Sequence, residues 1–306
     1  MYDLIILGGG PAGVAAGVYA TRKKINFILL TDTFGGQSVV SDDIQNWPGI
    51  PHISGWEMAK LFKEHLKVVG ANFKEGVKAS GMRKIKGGFE ISVETGETYQ
   101  AKTVLVALGS SRKKLGIPGE AEFGSKGVFY CATCDAPLMK DKVAAVVGGG
   151  NAAVGAVIDL LEYASKIYLL VRSDSLKADP VGVEQIKNNP KVEIIFNAEA
   201  KEIKGKKLVE SLVYRDKSSG QDKELKLDGI FVEIGSQPNS GFLKGLADLN
   251  GKGEVIVNCK TKKTSAEGVW AAGDITDCLY KQNAISMGDG VVALLNIYDY
   301  LNKNKK

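Results

Sequence analysis

The 306-residue chain has almost no histidine and little cysteine. Its two histidines, His52 and His65, lie far from any nucleophile pattern, so a Ser/His/Asp hydrolase has little to build on. Four cysteines are too few for a disulfide framework. Cys259 and Cys278 stand too isolated to complete a zinc ligand set, and no metal is expected. No apolar run reaches membrane-spanning length, and the start, Met1-Tyr2-Asp3 before Leu4-Ile5-Ile6-Leu7, lacks the basic stretch and small-residue cleavage site of a secretory signal. A cytoplasmic protein is the expectation. One-sided charge is missing too: 40 Lys and Arg against 35 Asp and Glu leave a net charge of +5, spread along the chain. The closing lysines read as a solvated tail, so neither nucleic acid nor membrane is an expected partner.

Glycine is what the chain has in excess, with 37 of 306 residues. Two glycine-rich turns follow apolar runs. The first, Gly8-Gly9-Gly10-Pro11-Ala12-Gly13, follows a strand over residues 2–7 and opens a helix over Pro11–Arg22, before a second strand at Phe27-Ile28-Leu29-Leu30. In such a βαβ unit one glycine permits the tight turn, one lets backbone approach a pyrophosphate and one lets the helix pack closely. Pro11 suits the first helical turn. Asp32, about 20 residues on, is placed to accept from ribose hydroxyls.

The pattern recurs where Val143-Ala144-Ala145-Val146-Val147 leads into Gly148-Gly149-Gly150-Asn151-Ala152-Ala153, a helix to about Tyr163 and a strand over Ile167–Val171. Ala153 keeps the third position small. This strand ends in Arg172, which with Lys177 could pair with a 2′-phosphate, favouring NADPH over NADH. A return to the first domain is expected where Val269-Trp270-Ala271-Ala272 runs into Gly273-Asp274, with a helix following from Asn283 to about Tyr300. Between the two fingerprints lies Cys131-Ala132-Thr133-Cys134. By itself this is a redox couple, half a metal site or two buried thiols.

Taken together, Gly8–Gly13, Phe34-Gly35-Gly36-Gln37, Asn46-Trp47-Pro48-Gly49, Cys131–Asp135, Gly148–Ala153 and Ala272-Gly273-Asp274 closely resemble the low-molecular-weight thioredoxin reductases, over essentially the whole chain. The second half, at Tyr214-Arg215-Asp216-Lys217 and Gly229–Gly235, is also similar to the reductase part of the flavoprotein that serves bacterial peroxiredoxin. The resemblance implies an α/β fold of two Rossmann-like nucleotide-binding domains of the three-layer ββα type, the second inserted in the first. An FAD domain would comprise residues 1–112 and 242–306, and an NAD(P)H domain carrying the dithiol, residues 113–241.

By the same resemblance FAD would lie against Gly8, Gly10, Pro11, Ala12, Gly13, Asp32, Gly36, Gln37, Asn46, Gly109, Gly273, Asp274, Gln282, Asn283 and Ala284. The nicotinamide nucleotide would lie against Gly148, Gly150, Asn151, Ala152, Ala153, Arg172 and Lys177. Cys131 would attack a partner disulfide, Cys134 would stack on the flavin and Asp135 would relay protons. The implied activity is thioredoxin-disulfide reduction by a homodimer, with turnover alternating two domain arrangements about glycine- and proline-bearing links near residues 112–120 and 235–243. Only one arginine of the family's 2′-phosphate cluster is present, at Val171-Arg172-Ser173. NADPH, NADH or a protein donor such as ferredoxin therefore stay open, as does a peroxiredoxin- or glutaredoxin-like partner. A nucleotide-bound redox sensor with little turnover is the reading from another class.

Overall fold

The structure, a computed structural model, describes residues 1–41 and 44–303. Lys305 and Lys306 of the expected tail lie outside the described residues. The chain forms two compact units, one of Met1–Val39, Trp47–Ser111 and Gln237–Lys306, the other of Val40–Asn46 and Arg112–Ser236.

The first unit opens with β1 (Tyr2–Gly9), α1 (Pro11–Arg22), β2 (Phe27–Phe34), α2 (Gly55–Val68) and β3 (Phe73–Glu75). An antiparallel meander follows, β4 (Ala79–Ile85), β5 (Gly88–Val93) and β6 (Thr98–Val106), and then the short β7 (Ser110–Arg112). Leu4, Ile5, Ile6 and Leu7 of β1 are all fully buried, as a central parallel strand covered on both faces requires. On one face Ile5 and Leu7 join Ile28, Leu30, Val104 and Val106 in a core closed by the meander. Strand β1 pairs in parallel with β2 and β6, while β6 changes partner along its length, running antiparallel to β5 over its first half and parallel to a later strand over its second. That switch makes room for a third layer.

In the second unit come β8 (Val128–Phe129), α3 (Ala132–Asp135), β9 (Val143–Val147), α4 (Asn151–Leu161), β10 (Lys166–Leu170), α5 (Pro180–Lys187) and β11 (Val192–Ile195). A meander of β12 (Ala198–Gly205), β13 (Val209–Asp216) and β14 (Gln221–Lys226) precedes β15 (Gly229–Val232). The parallel sheet has the order β11-β10-β9-β15-β8. Side chains alternate across a strand, so Ala144 and Val146 pack with α4 on one face while Ala145 and Val147 pack with the meander on the other. The layers are helices, parallel sheet and antiparallel sheet.

The first unit is completed by β16 (Ser236–Pro238), β17 (Val269–Ala271) and α6 (Asn283–Lys303), with β17 lying along β6. These two central sheets are those of tandem Rossmann-like dinucleotide-binding folds, as the resemblance implies. Some boundaries differ from expectation. Strand β2 runs on through Thr31-Asp32-Thr33-Phe34, because Phe34 turns inward to the core and extends the buried stretch. Helix α4 stops at Leu161, where Tyr163 and Ala164 both bond back to the Leu160 carbonyl and close the turn.

Helix α6 lies against α1 closely enough that a Cβ on Gly290 would overlap the Ala12 carbonyl oxygen. Gly290→Ala is expected to force these helices apart and to destabilise the first unit by roughly 1–3 kcal/mol, read as a lowered thermal midpoint.

Candidate functional site

Each unit carries its own candidate site. In the first, the ends of β1 and β2, the first turn of α1, the loop after β6 and the start of α6 surround a cleft of about 530 Å³. Its floor is built by backbone. Gly8 has φ +111°, and a Cβ there would overlap the Ala107 carbonyl oxygen, while one on Gly13 would overlap the carbonyl of Gly8. Strand end and helix start therefore touch without side chains between them. Gly10 caps α1 with no side chain of its own and Pro11 fills the first helical position, so the cap supplies no acceptor for the helix's leading amides. Such a terminus suits a pyrophosphate.

Of the residues read from the sequence for FAD, Gly8, Gly10, Pro11, Ala12, Asp32, Gly36, Gln37, Gly109, Gly273, Asp274 and Asn283 line this cleft. Gly13 lies beneath it, under Gly8. Gln282 and Ala284 flank Asn283 at the start of α6 without lining the cleft, and Asn46, exposed, belongs to the 40–46 segment counted with the second unit. Asp32 is exposed at the cleft, an acceptor open to ribose hydroxyls. Asp274 accepts from the Ser286 hydroxyl at 3.1 Å, and Ser38 donates to Asn283 at 2.9 Å, which ties the loop after β2 to α6.

Sequence reasoning passed over Asn239. Its side-chain amide donates to the Leu108 carbonyl at 2.8 Å, its Oδ1 accepts from Ser111 at 2.9 Å, and its N–H donates to the Gly109 carbonyl at 3.0 Å. Gly109, at φ +63°, is thereby held open along the cleft. The signal available was Pro238-Asn239 directly after a strand, a turn pair whose amide can satisfy another loop's carbonyls.

The second unit's site is a disulfide, Cys131 to Cys134, with Cα atoms 5.3 Å apart. Cys131 is extended and caps a four-residue helix, whose Cys134 and Asp135 amides donate to the Cys131 carbonyl. Ala132, Ala136 and Met139 recur at helical spacing and bury against α4, so both cysteines stay half-exposed on the other side. Thr133 donates to Asp159 of α4 at 3.0 Å and pins the turn. Asp135 is buried.

The adjoining fingerprint is as crowded as the first. A Cβ on Gly148 would overlap the Glu233 carbonyl oxygen and lie 2.8 Å from Cβ of Ala153, so alanine in the third position makes glycine at the first obligatory. Gly150 and Asn151 open α4, with Ala152 exposed in its first turn. Arg172 and Lys177 are both exposed. Lys177 is fixed by its backbone, donating to the Gly149 carbonyl at 2.7 Å.

A second residue missed from the sequence is Glu233, an acid that closes the apolar run Ile230-Phe231-Val232. It is 7% exposed. Burial pushes its carboxyl up to about 7, against the opposing pull of Arg112 and of the Ala132 backbone amide, with Asp159 adding to the rise. Among the described residues no group of side chains is arranged to hold a metal ion, and no helix is long and apolar enough to cross a membrane.

Glycine-cradled cleft, second nucleotide fingerprint and neighbouring disulfide are matched together by one family. The pyridine nucleotide-disulphide oxidoreductase profile covers residues 2–290. The chain belongs to that family. Membership makes it an oxidoreductase of the FAD/NAD(P)H-binding class with an intact cysteine pair. Among solved structures, thioredoxin reductase from Streptococcus pyogenes MGAS5005 superposes with TM-score 0.91 at 33% identity over 99% of both chains. Thioredoxin reductase from Giardia duodenalis gives 0.91 at 29% identity, covering 98% of this chain and 99% of that one. A Bacillus subtilis (strain 168) protein called NADH dehydrogenase is 38% identical over 303 residues, and the F component of the alkyl hydroperoxide reductase of Escherichia coli (strain K12) is 39% identical over 308. Each alignment takes 99% of this chain but 59% of the relative, so the chain spans about three-fifths of those proteins.

Asn239→Ala removes both of its side-chain bonds to the segment after β6 and is expected to destabilise the first unit by about 1–2 kcal/mol, read as a lowered thermal midpoint. For Glu233 the sign follows from its folded value of about 7 standing above the ordinary 4.5. The folded protein holds a proton that the unfolded chain lacks between those values, so stability is fully present below 4.5 and falls as pH rises through 7. Glu233→Gln should remove a fall on the order of 3 kcal/mol, so its thermal midpoint should gain on the wild type at pH 8 and not at pH 4.5.

Proposed function

We propose that this protein is an FAD-dependent disulfide reductase that passes electrons from NADPH through Cys131 and Cys134 to thioredoxin or a thioredoxin-like protein. The observation that carries this reading is the cysteine pair formed as a disulfide on a turn beside a nucleotide fingerprint, in a chain matched end to end by thioredoxin reductases. On this reading the first unit is the FAD domain and the second the nicotinamide domain.

FAD, when bound, would supply the two-electron relay between nicotinamide and disulfide. The chain's residues do the rest. Gly8, Gly10 and Gly13 give the pyrophosphate close backbone, Asp32 accepts from the ribose, and Asp274 and the start of α6 serve the ribityl side. Gly148, Gly150 and Ala153 give the second nucleotide the same close approach, and Arg172 with Lys177 pairs with a 2′-phosphate. Cys131, the cap of its turn, attacks the partner's disulfide as a thiolate. Cys134 completes the exchange, and buried Asp135 protonates the leaving sulfur.

A second reading, a reductase for a peroxiredoxin-linked or glutaredoxin-like protein, is favoured by the 39% identity to the F component of alkyl hydroperoxide reductase. The donor is NADPH rather than NADH because the residue ending β10's run is buried Val171 followed by Arg172, with no acid to accept from a 2′-hydroxyl. A homodimer would cover the apolar groove that Val14, Val18, Met58, Leu61, Phe62 and Met287 form in the first unit. A cytoplasmic setting suits a working dithiol.

Anaerobic stopped-flow mixing of the yellow protein with NADPH, NADH and reduced ferredoxin in turn should bleach the flavin fastest with NADPH. Cys134→Ser should leave that bleaching intact and lower turnover of thioredoxin by at least a thousandfold. Full turnover in this variant would overturn the mechanism, and preferential turnover of a peroxiredoxin-linked partner would select the second reading.

A further inference from the structure

We propose that Cys278, Lys262 and Asp289 form a peroxide-reactive thiol site in the first unit, separate from the Cys131–Cys134 couple, at which the Cys278 sulfur is oxidised to a sulfenic acid. The three side chains come from different segments. Lys262 lies in the turn before β17 and is anchored there, its carbonyl accepting from the Ala271 N–H at 3.1 Å. Cys278 belongs to the stretch between β17 and α6, and Asp289 to α6 itself. They meet at the ammonium. Lys262 Nζ stands 2.7 Å from Asp289 Oδ1 and donates to Cys278 Sγ at 3.3 Å, while the thiol donates to Asp289 Oδ2 at 3.7 Å.

Two of the three are shut away from water. The Lys262 and Asp289 side chains are 8% and 10% exposed, whereas Cys278 is only partly covered. Its neighbour Leu279 is 82% exposed, so this stretch runs along the surface and a small oxidant can reach it. Burial pulls the Lys262 ammonium down, but the bond and charge of Asp289, and then those of Cys278, outweigh it and hold the group above the ordinary lysine range. The charge therefore stays on the nitrogen beside the sulfur. An ion pair alone would tie the turn to the helix. Here a nucleophile lies within reach of both members, with a carboxylate to take its proton and a cation of the kind that favours thiolate chemistry.

The oxidant is hydrogen peroxide. As the sulfur attacks one peroxide oxygen, an S–O bond forms and the O–O bond breaks, so sulfur gives up two electrons and the peroxide gains them. The thiol proton passes to Asp289, and the departing hydroxide takes a proton from Lys262 and leaves as water. Asp289 then returns its proton to Lys262. The net change is thiol and hydrogen peroxide to sulfenic acid and water. The site adjoins the cleft, because Thr276, just before Cys278, holds the Gly273 carbonyl through its N–H at 3.0 Å and its hydroxyl at 2.7 Å, and Gly273 lines that cleft.

The test uses the flavin-loaded protein with the Cys131–Cys134 disulfide closed, so that Cys259 and Cys278 are the free thiols. It is treated with hydrogen peroxide in the presence of dimedone, which traps sulfenic acids, and the two peptides are followed by mass. Cys259 is the more exposed, so exposure alone puts it first. The cluster reverses that order, and Cys278 should be labelled about tenfold faster or more. Lys262→Met should bring Cys278 down to the rate of Cys259 or below, whereas Lys262→Arg, which keeps a cation, should retain part of the advantage. Joining Lys262→Met with Asp289→Leu removes the pair without stranding a buried charge and serves where the single variant does not fold. Equal labelling of the two cysteines in the wild type, or an undiminished rate at Cys278 once Lys262 is replaced by Met, would overturn the proposal.

Discussion

The structure depends on places where backbone must touch backbone. At the first fingerprint Gly8 lies against Ala107 on one side and Gly13 on the other, and at the second Gly148 lies against Glu233 and Ala153. A side chain at any of these glycines would push helix from strand. Because nothing intervenes, α1 begins where β1 ends and its leading amides arrive at the cleft wall. The same closeness recurs at Gly290 on Ala12, which brings α6, from the far end of the sequence, onto the first turn of α1. The cleft is thus assembled from remote segments by contacts that allow no tolerance, and the apolar core of β1 and β2 supplies the rigidity behind them.

At the dithiol the governing term is charge. A reactive thiolate is usually favoured by a nearby cation, yet this turn carries carboxylates: Asp135 within it and Asp159 bonded to Thr133. Arg112, 4.0 Å from the buried Glu233 carboxyl, is itself partly in water. Such surroundings favour the neutral disulfide over a thiolate, so whatever reduces it must be a stronger electron donor, and the reduced pair passes its electrons on more readily. Protons, more than cations, are then the means of balancing the site.

How much of this could be read from the sequence follows from what each feature depends on. The two βαβ starts were legible because strand, glycine turn and helix are contiguous and their glycines have local reasons. Helix α1 appears at Pro11–Arg22 as read, and Gly8, Gly10, Gly273 and Asp274 line one cleft. Asn239 was not legible in its role, since its partners Leu108 and Ser111, in the segment after β6, lie more than a hundred residues away. Glu233 was hidden for the same reason. An acid after three apolar residues looks like a strand end reaching solvent, and only the pairing of β15 beside β9 in the folded sheet leaves it buried. The meanders β4–β5 and β12–β14 escaped because their alternating patterns are short and half-exposed, and nothing local says which sheet they cover.

The two basic residues beyond β10 act through solvent, whereas the cysteine pair acts through a covalent bond. Arg172 and Lys177 are exposed, and ion pairs in water each contribute little because long side chains must be immobilised and salt screens the charge. Lys177 gains from its backbone bond to Gly149, which fixes its Cα beside the fingerprint and leaves only the side chain to order. Arg172 gains from a planar fork that can meet a phosphate with two parallel bonds. Any preference built from two such exposed cations is graded and sensitive to ionic strength. The cysteine pair carries no such dependence, because its disulfide is covalent and its turn is packed on α4 through Ala132, Ala136 and Met139.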